Sequence, residues 1–462
     1  MDPIESTAAP QSGPLLPLLP PKRLERTLPS LARRSPPCQL RPGWTCETFS
    51  VPAAFPRSYP GSTKHAQDAL HDPTDAKGAR LDPQKAWDEL IKPQVDAFNR
   101  PVTLDDRGEI EGQEQLVLAV NRYRPPANKR RKGLTLVLSH ANGFYKEIWE
   151  PMLSSLLQDL EPSNCLPVEE IWALDCVLQG DSAILNHDVL GSVFNWCDHG
   201  RDILNFLISY IDANPSPSDV SSLPALEAAG DVDASLFKLD NLPTISPGAA
   251  SPFHRRYRNR LIVGIGHSLG GGGTAFAATA CPSLFSSVIF LDPVLVGPHH
   301  PARSTRPLAT GALVRKQKWK SRAEALEGFQ KKAFFRAWDE EMLKGYCEFG
   351  LKETKDGVAL KTTARNEALT FADASVVASI RANLRLATLP KSLPVHWIWA
   401  DEGRSVLPEL FIEQICKERV PHSAMSRVQG SGHLVVHENP RMTARHIGDF
   451  LKKTYAVASS KL

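Results

Sequence analysis

Gly264-Ile265-Gly266-His267-Ser268-Leu269-Gly270-Gly271-Gly272 lies between two stretches of different character. Before it, Arg260-Leu261-Ile262-Val263 is apolar and branched, as in a buried strand. After it, Gly273-Thr274-Ala275-Phe276-Ala277-Ala278-Thr279-Ala280 is a run of small residues suited to a closely packed helix. The joint, Gly266-His267-Ser268-Leu269-Gly270, fits G-x-S-x-G. In that motif a serine rides a strained turn, and glycine two residues to either side lets strand and helix approach closely. The helix N-terminus and the Leu269 N–H then face whatever Ser268 attacks, which makes Ser268 a candidate nucleophile and Leu269 a candidate oxyanion donor.

Working outward, Leu134-Thr135-Leu136-Val137-Leu138-Ser139 is a continuous strand of the kind found inside a parallel sheet. The loop after it, His140-Ala141-Asn142-Gly143-Phe144, is placed to supply a second oxyanion N–H, assigned to Asn142. Further strands are read at Gln115–Tyr123, Glu170–Asp175, Ser286–Val294, Pro394–Ala400 and Ala424–Val428. Helices are read at Glu147–Leu157, Asp198–Ile211 and Pro440–Tyr455, with one short helix near Pro83–Phe98 and a turn at Gln179–Ser182. The fold class is α/β, a mostly parallel sheet flanked by helices. Residues from about 297 to 389 are helical in pattern and rich in aromatics, which reads as an inserted helical lid. Residues 214–255 lose periodicity and fill with Pro, Ser, Ala and Asp, as expected of a disordered insertion.

A nucleophile of this kind needs a base later in the chain. His433, in the glycine turn Gly430-Ser431-Gly432-His433-Leu434 after the last strand, is the expected general base. His437 is its rival and is read as a solvated histidine at a helix start. His267 is expected to be structural. Two carboxylates compete as the acid. Asp292 ends the strand after the elbow helix and is preferred; Asp401, after the next strand, is the alternative. Serine at the elbow argues against epoxide or haloalkane hydrolysis, which need a carboxylate nucleophile.

The chain has 462 residues, 42% hydrophobic and 23% charged, the balance of a globular domain. A net charge of +3 is too small to argue for nucleic acid or an anionic membrane. No apolar run is long enough to span a bilayer. The eight cysteines are scattered without C-x-x-C, so neither a zinc site nor a disulfide framework is expected, and the thiols are read as reduced. No metal or cofactor is expected. Residues 1–42 are Pro/Ser/Arg-rich and read as a disordered tail ahead of a domain over 43–462. The terminal Ser460-Lys461-Leu462 matches a receptor-read peroxisomal address, so the peroxisomal import receptor is an expected partner and the peroxisomal matrix the expected location.

Three stretches, His140–Glu147, Gly264–Gly271 and Leu291-Asp292-Pro293-Val294, resemble a fungal family of peroxisomal α/β hydrolases that includes a yeast lipase and hydrolases of AK-toxin-type pathways. Trp196-Cys197-Asp198-His199-Gly200-Arg201-Asp202-Ile203-Leu204 is similar to that family's helix after the fourth strand, and Gly432-His433 to its catalytic histidine. The resemblance runs from about Trp44 onward, apart from 214–255. It implies an α/β-hydrolase fold and a serine hydrolase acting on lipid-like or secondary-metabolite esters, with the Asp-Pro step favouring Asp292. The expected reaction is cleavage of carboxylic esters or thioesters through an acyl-enzyme on Ser268. A hydrolase or acyltransferase step in a peroxisomal secondary-metabolite pathway, or an inactive binding protein on the same fold, are the competing expectations.

Overall fold

Side chains along the central strands alternate between two apolar layers, one on each face of the sheet. Strands β3 (Leu134–Ser139) and β6 (Ser287–Leu291) show the division. Leu134, Leu136, Leu138, Ile289 and Leu291 enter one layer, while Val137, Val288 and Phe290 enter the other. Strands buried on both faces in this way read as continuous apolar runs rather than as alternating ones. The computed structural model describes residues 16–32, 38, 40–63, 82–127, 133–211, 260–296, 305–373, 382–383, 385–417, 419 and 421–456.

The remaining strands of the main sheet are β1 (Thr45–Pro52), β2 (Val117–Arg124), β4 (Val168–Leu174), β5 (Leu261–His267), β10 (Val395–Ala400) and β11 (Ser423–Val428). The order of this eight-stranded sheet is β1-β2-β4-β3-β5-β6-β10-β11. β1 and β2, and β2 and β4, pair antiparallel; every later pair is parallel. The centre is β3 beside β5, so the loop after β3 and the elbow after β5 emerge side by side at the carboxyl edge, where open α/β sheets bind ligands. One face is covered by the elbow helix Leu269–Ala280 and the helix Trp196–Asn205. The other is covered by the helix Glu150–Leu160, with Met152, Leu153 and Leu156 inward, and by the closing helix Pro440–Thr454, with Ala444, Ile447 and Leu451 inward.

Several expectations change here. The segment Leu16–Ala32, expected as part of a disordered tail, lies against the domain. Leu18 is buried in the same layer as Val51, and Leu19 N–H donates to Phe55 O at 2.8 Å. Arg201 Nη2 donates to Pro17 O at 2.9 Å, and Arg26 Nη1 to Leu185 O at 2.7 Å. Prolines bar a helix there but leave an extended run that can bury a leucine and offer its carbonyls to arginines. Residues 1–15 of that expected tail, and all of the expected insertion at 214–255, lie outside the described residues.

The segment between β6 and β10, expected to be a helical lid, contains the helices Arg306–Leu313, Arg322–Gln330, Glu340–Phe349 and Ala364–Phe371. It also holds a small antiparallel sheet of β7 (Lys318–Trp319), β8 (Leu351–Thr354) and β9 (Gly357–Leu360), in the order β7-β9-β8. The β8–β9 hairpin turns through Lys355-Asp356, and Gly357, paired with Thr354, opens β9 at φ +135°. The turn expected at Gln179–Ser182 instead begins the helix Gly180–Leu185.

Candidate active site

The elbow is built by close contact that only glycine permits. A Cβ on Gly266 would lie 2.3 Å from Gly270 O, and one on Gly270 would lie 2.0 Å from Ser139 O. The helix can therefore press against both β5 and β3. Between these glycines Ser268 adopts φ 54° and ψ −113°, a conformation that costs a non-glycine residue on the order of 1–3 kcal/mol. The surroundings hold it there. Ser268 N–H donates to Leu291 O at 3.1 Å, and Ser268 O accepts from Gly272 N–H at 3.0 Å and Val294 N–H at 3.2 Å. Leu269 is the first residue of the helix, so its N–H has no helical acceptor.

His433 stands between the serine and a carboxylate. Its Nε2 lies 2.8 Å from Ser268 Oγ, and its Nδ1 lies 2.5 Å from Asp292 Oδ2. Asp292 is fully buried at φ 36°. Its Oδ1 accepts from Ala400 N–H at 3.0 Å, and its Oδ2 also accepts from Ser405 Oγ–H at 3.1 Å. Burial alone would raise this carboxyl, but the His433 partner and these two donors outweigh it and hold Asp292 below its ordinary range. Asp401 has a different task. Its exposed carboxylate accepts from Gly430 N–H at 2.8 Å and Glu402 N–H at 3.0 Å, which pins the turn leading to His433. Of the two candidate acids, the structure brings Asp292 to the histidine.

The other histidines surround this line. His267 Nε2 lies 2.9 Å from His433 O, so it braces the His433 backbone, and burial lowers its pKa to about 3. His437 is not at the surface. It is fully buried, with its ring 4.0 Å from that of Phe144 and 4.7 Å from that of the lid residue Trp338. Desolvation keeps it neutral, well below its usual pKa. The sequence pattern places His437 beside Glu438 and gives no sign that Phe144 and Trp338 cover it.

Asn142 lies in the loop after β3, as expected, and its side chain is engaged: Oδ1 accepts from Gln179 Nε2, and Nδ2 donates to Glu367 O at 3.2 Å. Behind the loop, the buried Lys146 Nζ sits 2.5 Å from Asp181 Oδ2 and 2.9 Å from Glu147 Oε1. Asp181 also pairs with the lid residue Lys361 at 2.6 Å. Gln179, Glu367 and Ser405 were not singled out from the sequence, because each acts through long-range contacts that leave no local pattern. Among the described residues, no group of three or more His, Cys, Asp or Glu could hold a metal ion, and no helix is long and apolar enough to cross a membrane.

A parallel α/β sheet whose central strand turns through a strained serine into a helix, with a histidine and a buried carboxylate in line behind it, is the architecture of α/β hydrolases. The family description "Alpha/beta hydrolase family" matches residues 136–446, and the chain belongs to that family. Among proteins of known name, it is similar to the "Type I acyl-CoA thioesterase mpaH" of Penicillium brevicompactum, 26% identical over 226 residues, covering 47% of this chain and 40% of that protein. It is also similar to the "Peroxisomal membrane protein LPX1" of Saccharomyces cerevisiae, 28% identical over 191 residues, covering 40% of this chain and 38% of that protein. The matched stretches thus span less than half of those relatives. Among solved structures, the peroxisomal alpha-beta-hydrolase Lpx1 of Saccharomyces cerevisiae superposes with a TM-score of 0.60 at 20% identity, over 91% of this chain and 93% of that one. The likeness to fungal peroxisomal α/β hydrolases carried by five short stretches therefore extends through the fold.

Proposed function

We infer that the chain is a serine hydrolase that cleaves carboxylic esters or thioesters of lipid-like acids through an acyl-enzyme on Ser268. The observation that carries this reading is the unbroken line from Ser268 Oγ to His433 Nε2 at 2.8 Å and from His433 Nδ1 to Asp292 Oδ2 at 2.5 Å. In this mechanism His433 takes the Ser268 proton as the oxygen attacks the acyl carbonyl. Asp292 holds the Nδ1–H tautomer and stabilises the imidazolium. The N–H groups of Leu269 and Asn142 receive the oxyanion, aided by the N-terminus of the helix Leu269–Ala280. His433 then protonates the leaving alkoxide or thiolate. Water, deprotonated by His433, attacks the acyl-serine, and collapse releases the acid and restores Ser268.

The thioesterase name of one relative favours acyl-CoA among the acyl donors to be tried. The peroxisomal name of the other supports the location expected from Ser460-Lys461-Leu462, which a fluorescent fusion with and without those residues tests. The deciding experiment is labelling by a fluorophosphonate probe, followed by an acyl-ester and acyl-CoA panel. The native chain is expected to label and Ser268→Ala not to. Equal labelling of the two, or no labelling of the folded native chain, overturns the reading.

A further inference from the structure

Gln179 lies at the start of the helix Gly180–Leu185, fully buried, with each end of its amide on a different part of the site. Oε1 accepts from Gly143 N–H at 3.1 Å. Nε2 donates to Asn142 Oδ1 and to Thr370 Oγ1, the latter at 3.2 Å. The amide orientation is dictated from outside. Gly143 N–H can only donate, so it requires the Gln179 oxygen. At the far end Glu367 O can only accept, so it requires the Asn142 nitrogen, at 3.2 Å. The remaining contact, Gln179 Nε2 to Asn142 Oδ1, then pairs a donor with an acceptor. Thr370 agrees with this order, since its hydroxyl donates to Asn366 O at 3.1 Å and keeps an oxygen lone pair for Gln179.

The far end of the chain is a lid helix, Ala364–Phe371, that is itself fastened to the core. Asn366 Nδ2 donates to Leu178 O and Trp196 Nε1 to Thr370 O, both at 2.9 Å. Gly143, at φ +85°, has Glu367 directly above it, so a Cβ there would lie 3.0 Å from the Glu367 carboxyl carbon. The loop that carries the Asn142 N–H is thus held between the core and a fixed wall of the lid, and Gln179 is the one side chain among these contacts that touches two successive loop residues and the lid helix.

Resting on the acyl-enzyme reading above, we propose that Gln179 is a positioning residue for the oxyanion hole. It sets the direction of the Asn142 N–H by bonding the Gly143 N–H and the Asn142 side chain together, with the lid helix as the anchor. Its contribution appears as the charge develops on the carbonyl oxygen, not as substrate docks, so its loss lowers kcat and leaves KM nearly unchanged.

The test compares the full-length wild type, Ser268→Ala, Gln179→Leu, Asn142→Ala and the Gln179→Leu/Asn142→Ala double variant on an ester the wild type turns over. Active sites are counted from the end point, not the rate, of fluorophosphonate labelling. Gln179→Leu is expected to lose about 10²-fold in kcat per titrated site, with KM within about threefold. Asn142→Ala, although it keeps its N–H, is expected to lose about tenfold or more, and the double variant to be about as slow as the slower single one because both break the same chain. A Gln179→Leu kcat within about twofold of wild type, or losses that multiply in the double variant, would overturn the proposal. Should Gln179→Leu not fold, Asn142→Ala decides alone: a kcat within about twofold of wild type overturns it. Failure of the acyl-enzyme reading shows separately, as equal labelling of wild type and Ser268→Ala, and takes this proposal with it.

Discussion

Replacing Asp292 by asparagine changes one atom, and the structure says which tautomer follows. Oδ1 accepts from Ala400 N–H at 3.0 Å, a donor that cannot reverse. An asparagine must keep its oxygen there, which turns its NH2 toward Ser405 Oγ and His433 Nδ1. His433 Nδ1 then has to accept, so the ring proton moves to Nε2 and points at Ser268 Oγ, 2.8 Å away. A histidine in that state cannot take the serine proton. The loss expected from a wrong tautomer at such a site is about 10⁴-fold in kcat, on the order of 5 kcal/mol in the barrier. Asp401→Asn is the matched control. Its carboxylate caps two backbone N–H groups of an exposed turn, and its replacement is expected to change kcat by no more than about threefold. The assay is steady-state hydrolysis of a chromogenic ester, with each variant's fold checked by circular dichroism. A loss of tenfold or less in folded Asp292→Asn, or an equal loss in Asp401→Asn, would refute the assignment.

Three further outcomes follow from packing and charge. Gly270→Ala puts a methyl group 2.0 Å from Ser139 O, so the elbow helix must move; a stability loss of about 3 kcal/mol, with loss of ester hydrolysis, is expected in urea unfolding and activity assays. Lys146→Met takes the buried cation from Glu147 and Asp175 and leaves Asp181 with Lys361 alone, and is expected to destabilise the fold by about 3–5 kcal/mol, again read by urea unfolding. His199, buried with Nε2 2.8 Å from Ser139 Oγ, has its pKa lowered to about 3. The unfolded chain therefore binds a proton that the folded chain refuses between pH 6.5 and about 3, so this contribution to stability is present above pH 6.5 and is lost on acidification. His199→Gln should lessen the fall of stability with acid by about 1.4 kcal/mol per pH unit over that window, and an unchanged slope would sink the argument.

The parts of the site that are legible in the sequence are those whose geometry is local. The elbow is a contiguous strand–turn–helix, and its glycines answer to neighbours that any such turn brings close, Gly266 against Gly270 and Gly270 against β3. His433 follows a strand and sits in a glycine turn. What escapes the sequence is contact at long range. The small sheet of β7, β8 and β9 was lost among helical aromatics, because its strands are two to four residues long and β7 joins from a distant segment. Leu18 looked like part of a proline-broken tail, because composition does not reveal that the apolar layer holding Val51 takes Leu18 and that Arg201 takes the Pro17 carbonyl. His437 looked solvated because the cover over it, Phe144 and Trp338, comes from two distant segments.

The choice between the two acids shows the same division at its sharpest. β6 and β10 are parallel neighbours in register, with Leu291 opposite Ile398. Asp292 and Asp401 therefore leave the same edge of the sheet one strand apart, and either could be imagined reaching a histidine that arrives after β11. Spacing along the chain cannot separate them. The backbone does. Asp292 N–H still donates to Ile398 O at 2.8 Å, so the residue stays in the sheet's hydrogen-bond ladder, while φ 36° turns its carboxylate inward onto Ala400 N–H and His433. Asp401 N–H donates to Ser431 O at 2.9 Å, which draws it toward the His433 turn, but its carboxylate bends back to Gly430 and Glu402 in solvent. A buried acid with two fixed donors and one histidine is held in a single orientation, whereas an exposed one capping a turn is not. That difference is what suits Asp292 to hold an imidazole and Asp401 to hold the loop that delivers it.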